Sequence, residues 1–191
     1  MRTYWLVGVL AVLATVPLAS AAITGVTASA GPGGAVTLND AQWDAETYTL
    51  SLSETVHAAP ASVLGEFLTD VPGDPTVWLC KTVENDTSFA WAAYHIDVVM
   101  SQPFTIDDVA TMPTWTWSDS PVYQRPDGKW QGSVDFMAGT FVAIGDWGQF
   151  DIKMSFDGPV SFTVDQVPIA PEPASLALLM LGGLLLRRKA R

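Results

Sequence analysis

The sequence predicts an all-β protein, an antiparallel β-sandwich or jelly roll, on three observations. Apolar and polar residues alternate with a period of two over most of the chain, as in Phe150–Phe156 and Val160–Val164. Because successive side chains of a strand point to opposite faces, each such segment has one apolar and one polar face. Gly, Pro and Asp residues interrupt these segments at short intervals, and helical periodicity is almost absent. Many short strands packed as two sheets satisfy all three.

The strands can be assigned in chain order. Early strands are predicted at 35–43 and 47–56, and segment 61–69 fits either a short helix or a strand. The strongest local prediction is a hairpin at Asp157-Gly158, because both residues of such a turn must tolerate positive φ. The same reasoning predicts three further turns that join neighbouring strands: Asn85-Asp86, Asp127-Gly128 and Gly145-Asp146-Trp147-Gly148.

Residues 1–21 have the layout of a secretory signal peptide. Arg2 gives a positive start, and Leu6–Val16 is an apolar run without charge. Ala19 and Ala21 are the small residues at the positions that a signal peptidase inspects, so we expect cleavage after Ala21. The alternative is an uncleaved anchor, which the short apolar core disfavours.

The remainder divides into a Gly-rich segment, 22–35, predicted to be a flexible mature N-terminus, and an acidic β-sandwich domain at 36–168. Residues 22–170 contain four basic and nineteen acidic residues, a net charge of −15. Such a charge repels phosphate backbones and anionic lipids, which argues against nucleic-acid binding. Acidity of this kind fits solubility outside the cell, divalent-cation binding or repulsion between copies.

The C-terminal tail, 171–191, has three parts in order. Pro171-Glu172-Pro173 is rigid and extended, because proline fixes φ. Ala174–Leu186 is apolar, but thirteen residues of helix reach only about 20 Å against a hydrocarbon core of about 30 Å. A basic cluster follows, and the positive-inside bias would keep it cytoplasmic with the body outside. Its residues are Arg187, Arg188, Lys189 and Arg191. This predicts a marginal, temporary membrane tether.

This tail resembles the PEP-CTERM sorting domain, also catalogued as the ice-binding-protein C-terminal motif. The resemblance covers about 21 of the 191 residues and implies recognition by an exosortase-type membrane protease that cuts near the Pro-Glu-Pro motif. In that family such proteins accompany exopolysaccharide and biofilm production. In the body, Asn85–Trp91 leading to Tyr94 and Ile96 resembles a segment of PEP-CTERM cargo domains to which no catalytic role is attached.

Candidate chemistry in the body is sparse. His95 and Asp97 share one strand face and could act as a general base with its orienting carboxylate, although an ordinary polar strand face is the favoured interpretation. The single cysteine, Cys80, cannot form an intrachain disulfide, and its apolar surroundings predict a buried small hydrophobe rather than interchain pairing or thiol catalysis. No cofactor or metal is predicted. Four aspartates in apparent loops are weak calcium candidates, with a solvated acidic surface as the default: Asp70, Asp74, Asp107 and Asp108.

Seven of the eight tryptophans lie in the body. Trp115 and Trp117 share a face if their segment is extended, and their rings could stack on sugars. The favoured alternative is that the tryptophans fill the core between the sheets.

The leading functional hypothesis is a non-enzymatic surface or extracellular-matrix protein. It would be exported, held briefly in the inner membrane by its tail, and then placed on the cell surface or outside it. The alternatives are a carbohydrate-binding module that recognises exopolysaccharide and, less favoured, a secreted hydrolase with two close carboxylates. The fold class does not choose among them.

Overall fold

The computed structural model of the protein describes residues 23–69 and 75–171, which form eleven strands in two facing sheets. The predicted all-β sandwich is confirmed. The predicted signal peptide, the predicted tail helix and residues 70–74 lie outside the described residues. Within the described residues, no helix is long and apolar enough to cross a membrane. The strands are β1 (Ile23–Ala30), β2 (Val36–Asp44), β3 (Thr49–Val56), β4 (Ala61–Thr69), β5 (Thr76–Asn85), β6 (Trp91–Met100), β7 (Phe104–Thr111), β8 (Thr116–Gln124), β9 (Trp130–Val142), β10 (Trp147–Phe156) and β11 (Val160–Ile169).

The six-stranded sheet has the order β1-β4-β11-β6-β9-β8, and the five-stranded sheet has the order β2-β3-β5-β10-β7. The described pairings are antiparallel with one exception, because β3 and β5 run parallel. The chain reverses direction as it crosses from β3 to β4 in the other sheet, and it reverses again on returning to β5. Two crossings therefore restore the original direction of the chain. The prediction of a purely antiparallel sandwich is wrong at the β3–β5 pair.

Three of the four predicted hairpins are wrong. The turn at Asp127-Gly128 does join paired strands, β8 and β9, with Gly128 at φ +83. The turns at Asn85-Asp86, Gly145–Gly148 and Asp157-Gly158 instead carry the chain from one sheet to the other. Gly145 and Gly158 have the expected positive φ values, +83 and +68. A tight turn therefore needs the same residues whether it joins paired strands or crosses the sandwich.

Two segments are strands, one of which the sequence predicted to be flexible and one of which it left open. Residues 23–30 pair with β4 along their length, so the predicted flexible N-terminus is wrong for this part. Backbone hydrogen bonding holds this segment, and small side chains do not prevent it. Segment 61–69, left open between helix and strand, is β4 and lies between β1 and β11.

The core lies between the sheets and is centred on aromatic rings. Phe150 stacks on Tyr94, with ring centroids 4.3 Å apart and planes 9° apart. Trp115 and Phe136 also pack against Phe150. These rings come from both sheets and from the loop before β8, so they hold the two layers together.

Candidate functional site

The outer face of the five-stranded sheet carries two rows of polar side chains. One row crosses the strands as Gln42, Ser51, Cys80 and Asp151, and the other as Asp40, Ser53, Thr82 and Gln149. These residues turn outward because the intervening residues of each strand face the core. With Trp147 they line a shallow groove of about 430 Å³, called the polar groove below.

Asp151 is the unusual residue of the polar groove. Its side chain is only 9% exposed although it lies on the outward-facing row. Oδ2 accepts a hydrogen bond from Gln149 Nε2 at 2.7 Å. Oδ1 is buried and has no partner in ordinary hydrogen-bond geometry among the described residues. Burial raises the pKa of Asp151, and hydrogen bonds from the Gln149 side chain, the Cys80 thiol and the Lys81 backbone N–H offset part of that rise. The carboxylate is thus largely shielded from solvent although it belongs to the outer face of the sheet.

Trp147 borders the groove at one end. It is the first residue of β10 and is 59% exposed. The turn before it is fixed by the backbone, since Asp146 N donates to Ala143 O at 3.1 Å and Gly145 N donates to Asn85 O at 2.7 Å. Trp147 also borders a neighbouring groove of about 390 Å³, beside the exposed ring of Phe141. A large indole is therefore held on the surface by an ordered turn.

Asn85 holds that turn against the rest of the sandwich. Its buried side chain donates from Nδ2 to the carbonyls of Phe89 and Val142, both at 3.0 Å, and to that of Ala143 at 3.2 Å. Its Oδ1 accepts from the backbone and the hydroxyl of Thr87. The Asn85–Trp91 segment singled out in the sequence is thus a structural corner, which joins the β5–β6 and β9–β10 crossings.

The two tryptophans predicted as a possible sugar platform are separated. Trp115 is 6% exposed, packs edge-on to Phe150 and donates from Nε1 to Thr140 O at 3.0 Å. Trp117 lies on β8 and is 41% exposed. They do not form an exposed row, because Trp115 precedes the strand and turns into the core. Sequence reasoning overlooked Trp147, although its place between Gly145 and Gly148 in a turn was the available signal.

His95 lies on the outer face of the six-stranded sheet between two carboxylates. Its Nδ1 is 2.7 Å from Asp135 Oδ1, and its Nε2 is 3.2 Å from Asp97 Oδ1. Burial lowers the pKa of His95, but the Asp135 hydrogen bond and the charge of Asp97 outweigh it, and the net pKa is raised. Both ring nitrogens thus face carboxylates, which favour the protonated imidazolium over the neutral ring that a general base requires.

We expect Asp135→Asn to lower the pKa of His95, because the variant removes one of its two negative partners. His95 stabilises the fold below its unfolded pKa, and this contribution is lost as the pH rises through the raised folded pKa. An NMR titration of the His95 ring measures the shift. Asp127→Asn, in the β8–β9 turn, is the control and should leave that pKa unchanged. An unaltered His95 pKa in Asp135→Asn would show that the pair is not electrostatically coupled.

The calcium candidates gain no support from their positions. Asp70 and Asp74 lie outside the described residues. Asp107 and Asp108 are in β7 rather than in a loop, so their predicted placement is wrong. Asp107 accepts hydrogen bonds from Thr105 and Ser155. Over the ranges that the structure describes, no group of three or more His, Cys, Asp or Glu side chains could hold a metal ion.

Cys80 is half-buried and faces the polar groove. The prediction of a buried hydrophobe is therefore wrong, because the side chain points away from the core. Burial and the neighbouring charge of Asp151 raise the pKa of Cys80 to about 11. The thiol is therefore protonated at neutral pH and is a poor nucleophile. The alternation places Lys81, the next residue, in the core instead.

Lys81 belongs to a fully enclosed polar network that the sequence did not reveal. Its Nζ forms an ion pair with Glu54 Oε1, and both side chains are buried. Gln166 Nε2 donates to Glu54 Oε2 at 2.6 Å, and Tyr94 OH donates to Gln166 Oε1 at 2.7 Å. Because solvent does not reach it, this network serves the fold rather than a reaction.

Comparison of the chain with protein-family models, with curated proteins and with solved structures finds no match.

Proposed function

We propose that this protein is an exported, non-enzymatic surface or extracellular-matrix protein that its C-terminal tail directs to an exosortase. The observation that carries the proposal is the order of three parts at one end of the chain: Pro171-Glu172-Pro173, an apolar segment, and the basic cluster. An export signal at the other end agrees with the topology that this tail requires. The tail would hold the protein in the inner membrane until it is cut.

The chemistry of the body supports a role without catalysis. The imidazole of His95 is engaged at both nitrogens, and the thiol of Cys80 is protonated at neutral pH. The acidic surface keeps copies of the domain apart in the extracellular space. We also propose the finer fold description of a jelly roll, because the chain crosses between the sheets at each step from β3 to β8.

The tail is tested by comparing three forms of the protein in a bacterium that encodes an exosortase. We expect the full chain to leave the inner membrane after processing. A chain that ends at Ala170 should be exported without membrane retention. A chain with Pro171→Ala and Pro173→Ala should stay in the membrane at full length, because the extended processing site is lost. Equal processing of this variant and the parent would contradict the proposal.

One observation favours carbohydrate binding as a second function of the body. Trp147 is exposed beside a groove whose lining side chains carry hydroxyl, amide and carboxylate groups. Saccharides present both apolar C–H faces and hydroxyl groups, which match an aromatic ring and polar side chains respectively.

A further inference from the structure

We infer that one end of the sandwich rests on the membrane that holds the tail, with Phe141, Ile144 and Trp147 in the lipid headgroup region. These three side chains are called the apolar end below. The inference rests on the membrane tether proposed above, and it adds a second contact between the protein and the bilayer.

The apolar end is exposed and held in place. Each of its three side chains is more than half exposed, and all three lie within seven residues of the chain. Gly145 N donates to Asn85 O, and the side chain of Asn85 donates to Val142 O, so the β9–β10 turn that carries them is ordered. Clusters of exposed apolar side chains mark contacts with proteins or membranes. The surroundings of this cluster indicate a membrane.

The path of the chain places the apolar end beside the bilayer. β11 ends at Ile169, opposite Ala93 of β6, and Val142 of β9 lies opposite Trp91 of the same strand. The chain therefore leaves the sandwich about 10 Å, or two strand spacings, to the side of the apolar end. The apolar segment of the tail begins at Ala174, so at most about 17 Å of extended chain separates it from Ile169. The opposite end of the sandwich is about 30 Å further away, the length of a ten-residue strand.

The tail benefits from a second contact. Its thirteen apolar residues reach only about 20 Å as a helix, against a hydrocarbon core of about 30 Å. A marginal lipid anchor binds reversibly, and stable attachment takes a second membrane contact. Tryptophan favours the headgroup region, and Trp147 supplies such a contact together with Phe141. Cutting the tail ends the contact, because only the tether keeps the apolar end at a high local concentration near the lipid.

Few charged groups would leave water at this end. In the described turns beside it, only His57, Asp86 and Asp146 can ionise, and His57 Nδ1 is 2.6 Å from Asp86 Oδ2. Glu84, a strand residue opposite Trp147, accepts a side-chain hydrogen bond. Removing charges from water is costly, and the acidic body offers no attraction for anionic headgroups, so the contact must be apolar. The described turns at the opposite end carry more charged side chains: Glu46, Arg125, Asp127, Lys129 and Asp157.

The test uses the protein with its tail, recovered from the membrane of a host without an exosortase and reconstituted in phosphatidylcholine vesicles. The emission of Trp147 is obtained as the difference between the parent and Trp147→Phe. We expect lipids brominated near the headgroup end of their acyl chains to quench this emission by at least half. Aqueous iodide should quench it several-fold less than in a chain that ends at Ala170.

Two matched double variants measure what the contact contributes to anchoring. Phe141→Ser with Ile144→Ser should speed transfer of the protein from donor to acceptor vesicles at least fivefold. Tyr123→Ser with Leu68→Ser removes one aromatic and one aliphatic side chain of similar exposure from the opposite end, and should change the rate less than twofold. All four side chains are exposed, so both variants should unfold in urea as the parent does. Equal transfer rates for the two variants would contradict the inference.

Three further results would overturn the inference, and they have different meanings. If the protein with its tail does not float with the vesicles, the proposed tether fails together with the contact. If it floats but Trp147 is as open to iodide as in the chain that ends at Ala170, the tether stands and only the contact is wrong. If Trp147 is shielded from iodide without quenching by brominated lipid, a second copy of the chain covers the apolar end instead of the membrane.

Discussion

Replacing Lys81 with Met is expected to reduce the free energy of unfolding by about 3–5 kcal/mol, because it leaves Glu54 as a buried charge without its partner. Glu54 would retain only the 2.6 Å hydrogen bond from Gln166. Burial raises the pKa of Tyr94 well above its ordinary value, so the Tyr94 hydroxyl stays protonated and continues to donate to Gln166. Urea unfolding followed by tryptophan fluorescence measures the loss.

A double variant, Glu54→Leu with Lys81→Met, is the matched control. A buried ion pair replaced as a unit by apolar side chains of similar size often costs little or even stabilises. We therefore expect the double variant to recover most of the stability that Lys81→Met loses. If the double variant is instead as unstable as the sum of the two single variants, the ion pair is not coupled, and the account of the network is wrong.

Replacing Asn85 with Ala is expected to cost about 2–4 kcal/mol, because several buried backbone groups lose their partners at once. The carbonyls of Val142 and Ala143 lose their side-chain donor, and Thr87 loses its acceptor. The turn before Trp147 loses this side-chain support but keeps its backbone hydrogen bonds to residue 85. The free energy of unfolding and the fluorescence anisotropy of Trp147, isolated by difference from Trp147→Phe, measure both effects.

Asn39→Ala is the control for Asn85. Asn39 is exposed and donates one hydrogen bond, to Thr55 Oγ1 at 2.9 Å. Its replacement should change the free energy of unfolding by less than about 0.5 kcal/mol. Equal effects of the two substitutions would show that Asn85 does not join the two crossings as its contacts indicate.

The sequence predicts the strands well because period-two alternation is a property of each strand alone. Early strands predicted at 35–43 and 47–56 are β2 and β3 within two residues. The sequence does not predict which sheet a strand joins. The Asp157-Gly158 turn satisfies every local requirement of a hairpin, yet β10 and β11 pair with other partners. Strand partners are set by packing across the whole sandwich, which local residues do not encode.

The remaining errors at the candidate site concern which side chains of a strand face the core and which are exposed. Cys80 and Lys81 are adjacent, and the apolar run 77–83 favours placing the cysteine inside. Val77, Leu79 and Val83 face the core, so the alternation places Lys81 in the core as well. An acidic partner on a neighbouring strand makes this burial possible. Trp147 was overlooked for a similar reason, because exposure depends on neighbouring strands rather than on the residue itself.

The measurement that tests the central claim most directly is the intact mass of the protein recovered from outside the inner membrane of a bacterium with an exosortase. The proposal predicts a species that begins at Ala22 and ends near Pro171, without the apolar segment and the basic cluster. A species that still carries residues 174–191 and is found only in the inner membrane would contradict it.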